Sequence, residues 1–241
     1  MNLKISIAHL YPSLLNLYGD IGNVIALKKR CEWRGIEVEF DEINIGDELK
    51  SHDLYFIGGG QDKQQEEVAA EMCKNKEFFI SERDNGAVFL GICGGYQLFG
   101  HYYQPVGKDK LLGASLLDVY TVAGKKRFIG NVTVETDLVE CKSLVGFENH
   151  SGLTYIEGDT LPLGAVKVGN GNNGKDGTEG ARFKNVFGTY LHGSLLPKNP
   201  QFADYLISLA LEKRYGHKIE LSKLDDTFED EAHEVLVGKA Y

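Results

Sequence analysis

Cysteine and histidine are the two side chains with which a protein most readily attacks an amide near neutral pH, and this chain holds a suitable example of each. Residues 87–97 read AVFLGICGGYQ. Ala87, Val88, Phe89 and Leu90 form a short apolar run of the kind a fully buried strand requires. Gly91, Gly94 and Gly95 then bracket a single cysteine, Cys93. A strand entering Gly-x-Cys-x-Gly has the layout of a nucleophile elbow, more often built with serine. So tight a turn asks for flanking residues without a Cβ. It aims the sulfur into open space and leaves the next backbone N–H groups free. A helix starting there favours the thiolate, the nucleophilic form. A buried structural cysteine is the competing reading, and the glycines argue against it.

A thiol also needs a group that takes its proton and returns one to the leaving nitrogen, which histidine does near pH 7. The chain has seven histidines. His192 follows the apolar segment VFGTYL and precedes Gly193, so it is expected at a strand's carboxyl end, like Cys93. His150, in GFENHSG, is the second candidate, as a structural or substrate-lining residue. His9 and His101 follow the first strand and the elbow helix; His52, His217 and His233 read as surface residues. Negative charge developing on an attacked carbonyl calls for pre-aimed N–H donors. Gly94, directly after the nucleophile, is one, and Gly60, in the glycine run 58–60, is the expected second.

The elements needed to position these groups alternate. LKISIAHL (residues 3–10) reads as a first strand, residues 23–34 as a helix capped by Asn23, and residues 36–40 as a second strand. DLYFI (53–57) is a buried strand running into the glycines, and polar helices follow over 62–75 and 78–84 before the cysteine strand. Such alternation predicts an α/β fold, a mostly parallel sheet with helices on both faces and its ligand site beyond the strands' carboxyl ends. Residues 113–168 suggest added antiparallel strands and turns. Residues 201–215 read as a helix, and the acidic last twenty residues allow one more. GNGNNGKD (169–176) matches the spacing of a phosphate-binding loop, but Asp176 stands where Ser or Thr belongs and Gly177 and Gly180 oppose a following helix, so a hairpin loop is expected.

Composition sets the outer limits. The 241 residues, 42% hydrophobic and 25% charged, suit one domain, with residues from about 220 as a C-terminal extension. The net charge of -9 argues against nucleic acid as a partner. No apolar run reaches the roughly 18 residues of a membrane span. Four cysteines without C-x-x-C spacing read as reduced thiols of a cytoplasmic protein, with no metal site expected.

Five segments, NLYGDIGN (16–23), FIGGGQD (56–62), GICGGYQ (91–97), GFENHSG (146–152) and GTYLHG (188–193), together resemble class I (triad-type) glutamine amidotransferases. Within that class they resemble the cobyric-acid-synthase-like branch, and more narrowly the GatD subunits of bacterial lipid II isoglutaminyl synthase. The resemblance implies a glutaminase in which Cys93 attacks the side-chain amide of L-glutamine, a γ-glutamyl thioester forms and ammonia leaves. It places Cys93 as nucleophile, His192 as base and Arg127, in KKRFIGN, as the residue for the glutamine α-carboxylate. It implies no cofactor in this chain. ATP and Mg would lie on a MurT-type, Mur-ligase-like partner that reaches lipid II, with the complex at the inner face of the membrane. Alternatives are the glutaminase part of a corrinoid amidotransferase, a γ-glutamyl-peptide hydrolase, and a non-catalytic binding module on the same fold. The sequence departs from the class at one place: Ser194 stands two residues after His192, where most triad enzymes carry a glutamate. That departure implies a weak glutaminase, or a carboxylate from elsewhere, with the partner as the expected donor.

Overall fold

The structure, a computed structural model, describes residues 2–16 and 19–238. Leu17 and Tyr18 of the NLYGDIGN segment and residues 239–241 of the expected extension lie outside the described residues. The first half alternates as expected: β1 (Lys4–Leu10), α1 (Ile21–Glu32), β2 (Glu37–Ile43), β3 (Leu54–Ile57), α2 (Asp62–Lys74), α3 (Lys76–Asp84), β4 (Val88–Ile92) and the short α4 (Gly94–Phe99). Next come β5 (Tyr102–Gln104), β6 (Leu111–Leu112), the long pair β7 (Val119–Glu135) and β8 (Ser143–Ile156), then β9 (Gly164–Val168), β10 (Thr178–Glu179), β11 (Ala181–Phe183) and β12 (Val186–Thr189). A 3-10 turn at Leu196–Lys198, α5 (Pro200–Tyr215) and α6 (Thr227–Gly238) complete the described elements.

The main sheet has the order β11-β12-β4-β3-β1-β2. Its neighbours pair in parallel except at β11, which runs antiparallel along one edge. Strand periodicity sorts the core onto the two faces. Phe56, Val88, Leu90 and Ile92 pack with Val24 and Leu27 of α1 and Phe202 and Leu206 of α5. Tyr55, Ile57 and Phe89 pack on the other face with Val68 and Met72 of α2, Phe79 of α3 and Phe99 of α4. The strand order sets β4 between β12 and β3, with β1 beyond. Cys93, residues 58–60 and the segment leading to His192 therefore leave one sheet edge side by side.

The second sheet, β10-β9-β7-β5-β6 with β8 on β7, holds the antiparallel strands expected in the middle of the chain, although β5 and β7 pair in parallel. It locks onto the main sheet where Phe147 of β8 bridges His192 in both directions: His192 N–H donates to Phe147 O at 2.9 Å, and Phe147 N–H to His192 O at 3.3 Å. The glycine segment 169–176 connects the antiparallel pair β9 and β10, and no helix follows it. Two of the N–H groups a phosphate would need, those of Asn170 and Gly171, donate to the buried Glu148 carboxylate.

Two expectations need correction. α1 begins at Ile21 rather than Asn23, so Asn23 lies inside the helix and its Oδ1 accepts the Leu196 N–H at 2.8 Å. The first-turn N–H of Ile21 goes instead to Asn16 Oδ1 at 2.9 Å. His52 and His233 are buried, not surface, residues. His52 bonds Asp41 and the Lys50 carbonyl, and His233 bonds Ser143 and the Lys198 carbonyl.

Arg30 of α1 ties three helical segments together. Its buried guanidinium meets Asp204 of α5 through Nε at 2.6 Å and Asp226, just before α6, through Nη1 at 2.6 Å. Removing Arg30 takes the ion-pair partner from Asp226 and leaves Asp204 only Arg34, a loss that in so buried a network costs about 3–5 kcal/mol. Arg30→Ala is expected to lower stability by about that amount in urea unfolding. Asp41→Asn, which touches only an exposed side of the His52 contact, is expected to cost under about 1 kcal/mol.

Candidate active site

β4 is buried throughout and delivers Cys93 to a sharp turn with φ 51° and ψ -101°. A non-glycine residue there carries backbone strain of about 1–3 kcal/mol, of the kind that clusters at functional sites. Strand pairing holds the turn, since Cys93 N–H donates to Thr189 O on β12 at 2.8 Å. The glycines around it answer to space. A Cβ on Gly95 would lie 2.6 Å from the Ile57 carbonyl oxygen, and one on Gly94 would meet the Gln65 amide at 2.5 Å. α4 is only six residues long, so its contribution at the sulfur rests chiefly on the Gly94 N–H.

Around Gly59 three side chains from three segments converge. A Cβ built there would lie 3.2 Å from His192 Cε1, 3.4 Å from Cys93 Cβ and 3.4 Å from Asp20 Oδ2. The sequence pairing of Cys93 with His192 is thus met in space, and a third group joins them. Asp20 is fully buried, and its Oδ2 accepts the Gly59 N–H at 2.7 Å. Its Oδ1 lies 3.7 Å from His192 Nδ1. Burial opposes charge on the His192 ring, but the facing Cys93 and Asp20 outweigh it and hold the imidazolium up to about 10. A thiolate beside an imidazolium is the resting state a cysteine nucleophile requires.

The oxyanion donors expected from the sequence fall together. Gly95 N–H is taken by Gly58 O at 3.1 Å and Gly59 N–H by Asp20. Among the described residues the N–H groups of Gly60 and Gly94 donate to no protein acceptor, and a Cβ on Gly94 would come within 3.2 Å of Gly60 N. Two adjacent, uncommitted donors beside the sulfur can stabilise a carbonyl oxygen as it gains charge.

Cys93 and His192 open on a cavity of about 700 Å³ whose walls include Gly60, Gln65, Gln97, Tyr103, Arg127 and Asn149. Arg127 stands on β7, beside the register shift between Ala123 and Phe128, and its Nε donates to Asn149 Oδ1 at 2.6 Å. Gln97 is fixed from both sides, accepting from Gln65 Nε2 at 2.9 Å and donating to the Tyr190 hydroxyl at 3.1 Å. His150, which also lines the cavity, stacks on Tyr190 at 3.6 Å and bonds the Gly152 carbonyl through Nδ1, so it builds the wall. His101 bonds Ser115 and Asp118 and is not among the cavity residues. Among the described residues no group of three His, Cys, Asp or Glu is placed to hold a metal ion.

A profile of the CobB/CobQ-like glutamine amidotransferase domain matches residues 6–200. The chain belongs to this family. It is 38% identical over 234 residues to the lipid II isoglutaminyl synthase (glutamine-hydrolyzing) subunit GatD of Streptococcus pneumoniae, covering 96% of this chain and 90% of that one. It is 41% identical over 239 residues to the GatD subunit of Staphylococcus aureus, covering 98% of this chain and 96% of the other. Among solved structures, a glutamine amidotransferase of Thermotoga maritima superposes with a TM-score of 0.56 at 16% identity, covering 99% of this chain and 94% of that one, a likeness of fold alone. This amidotransferase chain carries a cysteine and a histidine side by side at the carboxyl edge of its main sheet.

Sequence reasoning missed Asp20, Gln65 and Gln97 as site residues. Gln97 had a signal in its place within the elbow motif. Asp20 read as part of a turn before a helix, and Gln65 as one polar residue on a polar helix.

His9, at the end of β1, lies outside the cavity. Its ring is buried against Phe56 at 5.2 Å, and neither nitrogen finds a hydrogen-bond partner among the described residues. Burial lowers its pKa to about 4, against a smaller opposing pull from Asp20. The unfolded chain takes up a proton at this residue below about pH 6.5, which the folded chain refuses until about pH 4. Stability is therefore expected to fall across that window by up to about 3 kcal/mol. In urea unfolding at pH 7 and pH 4.5, His9→Leu should lose less stability on acidification than the wild type.

Proposed function

We propose that this chain is the glutaminase subunit of a lipid II isoglutaminyl synthase, hydrolysing L-glutamine and passing ammonia to a partner that amidates the D-glutamate of lipid II. The observation that carries it is the convergence of Cys93, His192 and the Gly60–Gly94 donor pair on one cavity with Arg127 at its wall. The full-length similarity to GatD subunits supports the choice of amido acceptor.

In this reading Arg127 pairs with the α-carboxylate of glutamine and Gln97 helps hold the substrate in line with the sulfur. The Cys93 thiolate attacks the side-chain amide carbon, and the carbonyl oxygen takes its charge into the N–H groups of Gly60 and Gly94. Collapse of the tetrahedral adduct breaks the C–N bond as His192 gives its proton to the nitrogen, releasing ammonia and leaving a γ-glutamyl thioester. His192, now neutral, takes a proton from water, whose oxygen attacks the thioester carbon. The C–S bond breaks, glutamate departs and the thiolate–imidazolium pair is restored.

Ammonia is useful only beside an activated acceptor. The synthetase chemistry would lie on a MurT-type, Mur-ligase-like partner carrying ATP and Mg, and no cofactor would be held by this chain. The whole chain would then act as one amidotransferase domain, residues from about 220 forming an extension. Among the described residues no helix is long and apolar enough to cross a membrane. A cytoplasmic complex working at the membrane's inner face on lipid II would need none in this subunit.

The test is release of glutamate and ammonia from glutamine by the purified chain, alone and with a MurT-type partner. Cys93→Ala is expected to abolish release, and Arg127→Ala to raise KM about ten- to a hundredfold with a smaller change in kcat. Cys93-independent release, or none from the wild-type complex, would refute the proposal.

A further inference from the structure

We infer that the glycine loop of residues 169–176 is the seat that aims Arg127 at the substrate, with Phe128 as the positioning residue whose ring joins that loop to His150. The inference rests on the glutaminase reading and adds to it the device that fixes an exposed arginine at the cavity wall.

The need for a seat follows from the register of β7 and β8. Ala123 pairs with Gly152 and Phe128 with His150. Residues 124–127, GKKR, therefore bulge out opposite the single residue Ser151 and have no partner in that ladder. Lys125, Lys126 and Arg127 are all exposed. The Arg127 guanidinium is tied to Asn149, through Nε to Oδ1 at 2.6 Å and through Nη2 to the backbone oxygen at 3.4 Å. Those bonds hold the head group only as well as the bulge beneath it is held, because a long exposed side chain otherwise keeps its rotamer freedom.

Phe128 is where the ladder resumes, and its ring anchors the bulge. It meets the His150 ring edge-on, with centroids 5.5 Å apart and planes at 84°. The tip of the ring reaches the glycine loop, where a Cβ on Gly174 would fall 2.8 Å from Phe128 Cζ. Gly174 also takes a φ of 70°. Glycine is therefore required there twice, by the backbone and by the ring.

The loop is itself clamped. The buried Glu148 carboxylate accepts the Asn170 N–H at 3.0 Å, Asn170 Nδ2 at 2.6 Å and the Gly171 N–H at 3.1 Å. Asn172 and Asn173 are buried and bond β8: Thr154 N–H donates to Asn172 O at 2.8 Å, and Asn173 Nδ2 donates to Thr154 O at 3.0 Å. The hydroxyl of Tyr96, on the elbow helix α4, donates to Asn172 Oδ1 at 3.1 Å. The seat and the nucleophile thus share one frame. N–H groups that a phosphate loop would keep for its ligand are spent here on holding the loop in shape.

Aim matters because a guanidinium recognises a carboxylate through two parallel N–H bonds, a geometry that tolerates little displacement. With Nε committed to Asn149, the Nη groups are left to meet the α-carboxylate of glutamine.

Gly174→Ala drives a methyl into the tip of the Phe128 ring, and Phe128→Ala removes the ring without straining the loop. Both are tested on the full-length chain by glutamine turnover, with Cys93→Ala as the blank and thermal unfolding to show that the fold is kept. Each is expected to raise KM about tenfold with kcat within about twofold, since Arg127 serves the carboxylate and not the reacting amide. Phe128→Leu, which keeps an apolar side chain in the seat, should recover part of the affinity. In an Arg127→Ala background the same substitutions should add nothing, because the side chain they would misdirect is gone. A KM unchanged within about twofold in folded Phe128→Ala, or raised by the same factor with and without Arg127, would overturn the inference. Cys93-independent turnover in the wild type would instead strike the glutaminase reading itself.

Discussion

The short buried hydrogen bond from the Gly59 N–H to the Asp20 carboxylate, 2.7 Å long, joins the two segments on which the site depends. One leaves the carboxyl end of β3 and carries the paired donor at Gly60. The other follows β1 and brings the Asp20 carboxylate to 3.7 Å from His192 Nδ1. Neither Gly59 nor Asp20 lies within a strand or α-helix, and loops at a sheet edge ordinarily sample several conformations. A charge-assisted bond in a dry environment removes that freedom at the point where catalysis needs fixed geometry. Glycine at position 59 is the other half of the constraint. Any side chain there would stand where the cysteine, histidine and aspartate meet.

The parallel sheet makes the arrangement possible. Because β12, β4, β3 and β1 lie next to one another and point the same way, four turns that are far apart in sequence emerge at one edge. The second sheet then closes the site from the side. Its Phe147 grips the backbone of His192, and its Arg127 and Asn149 form a wall of the cavity. Strain at Cys93 is sustained by this surrounding order: Thr189 holds the cysteine N–H, and Gly58 holds the N–H two residues on.

How far the sequence disclosed this depends on whether the deciding constraint is local. The elbow was legible because a strand, a lone cysteine and flanking glycines are all determined within ten residues. His192 was legible because it ends an apolar strand. The parallel sheet followed from alternation of buried strands with amphipathic helices. Asp20 was hidden for the opposite reason. An aspartate in a glycine-containing turn before a helix reads as solvated loop, and its diversion to Gly59 and His192 is settled by residues 39 and 172 positions away. The capping error at Asn23 has the same origin, since its side chain is spent on the backbone of Leu196. His52 and His233 sit in polar sequence yet are buried, each satisfied by a distant or loop partner that local context does not reveal.

The central claim is that this edge holds a thiolate–imidazolium pair ready to attack an amide. The most direct measurement is an NMR titration of the His192 ring in the resting protein. The expected result is an imidazolium that persists to about pH 10, with a midpoint that drops in Cys93→Ser, where the thiolate is gone. A wild-type ring that titrates near pH 6.5, unchanged by that substitution, would contradict the claim.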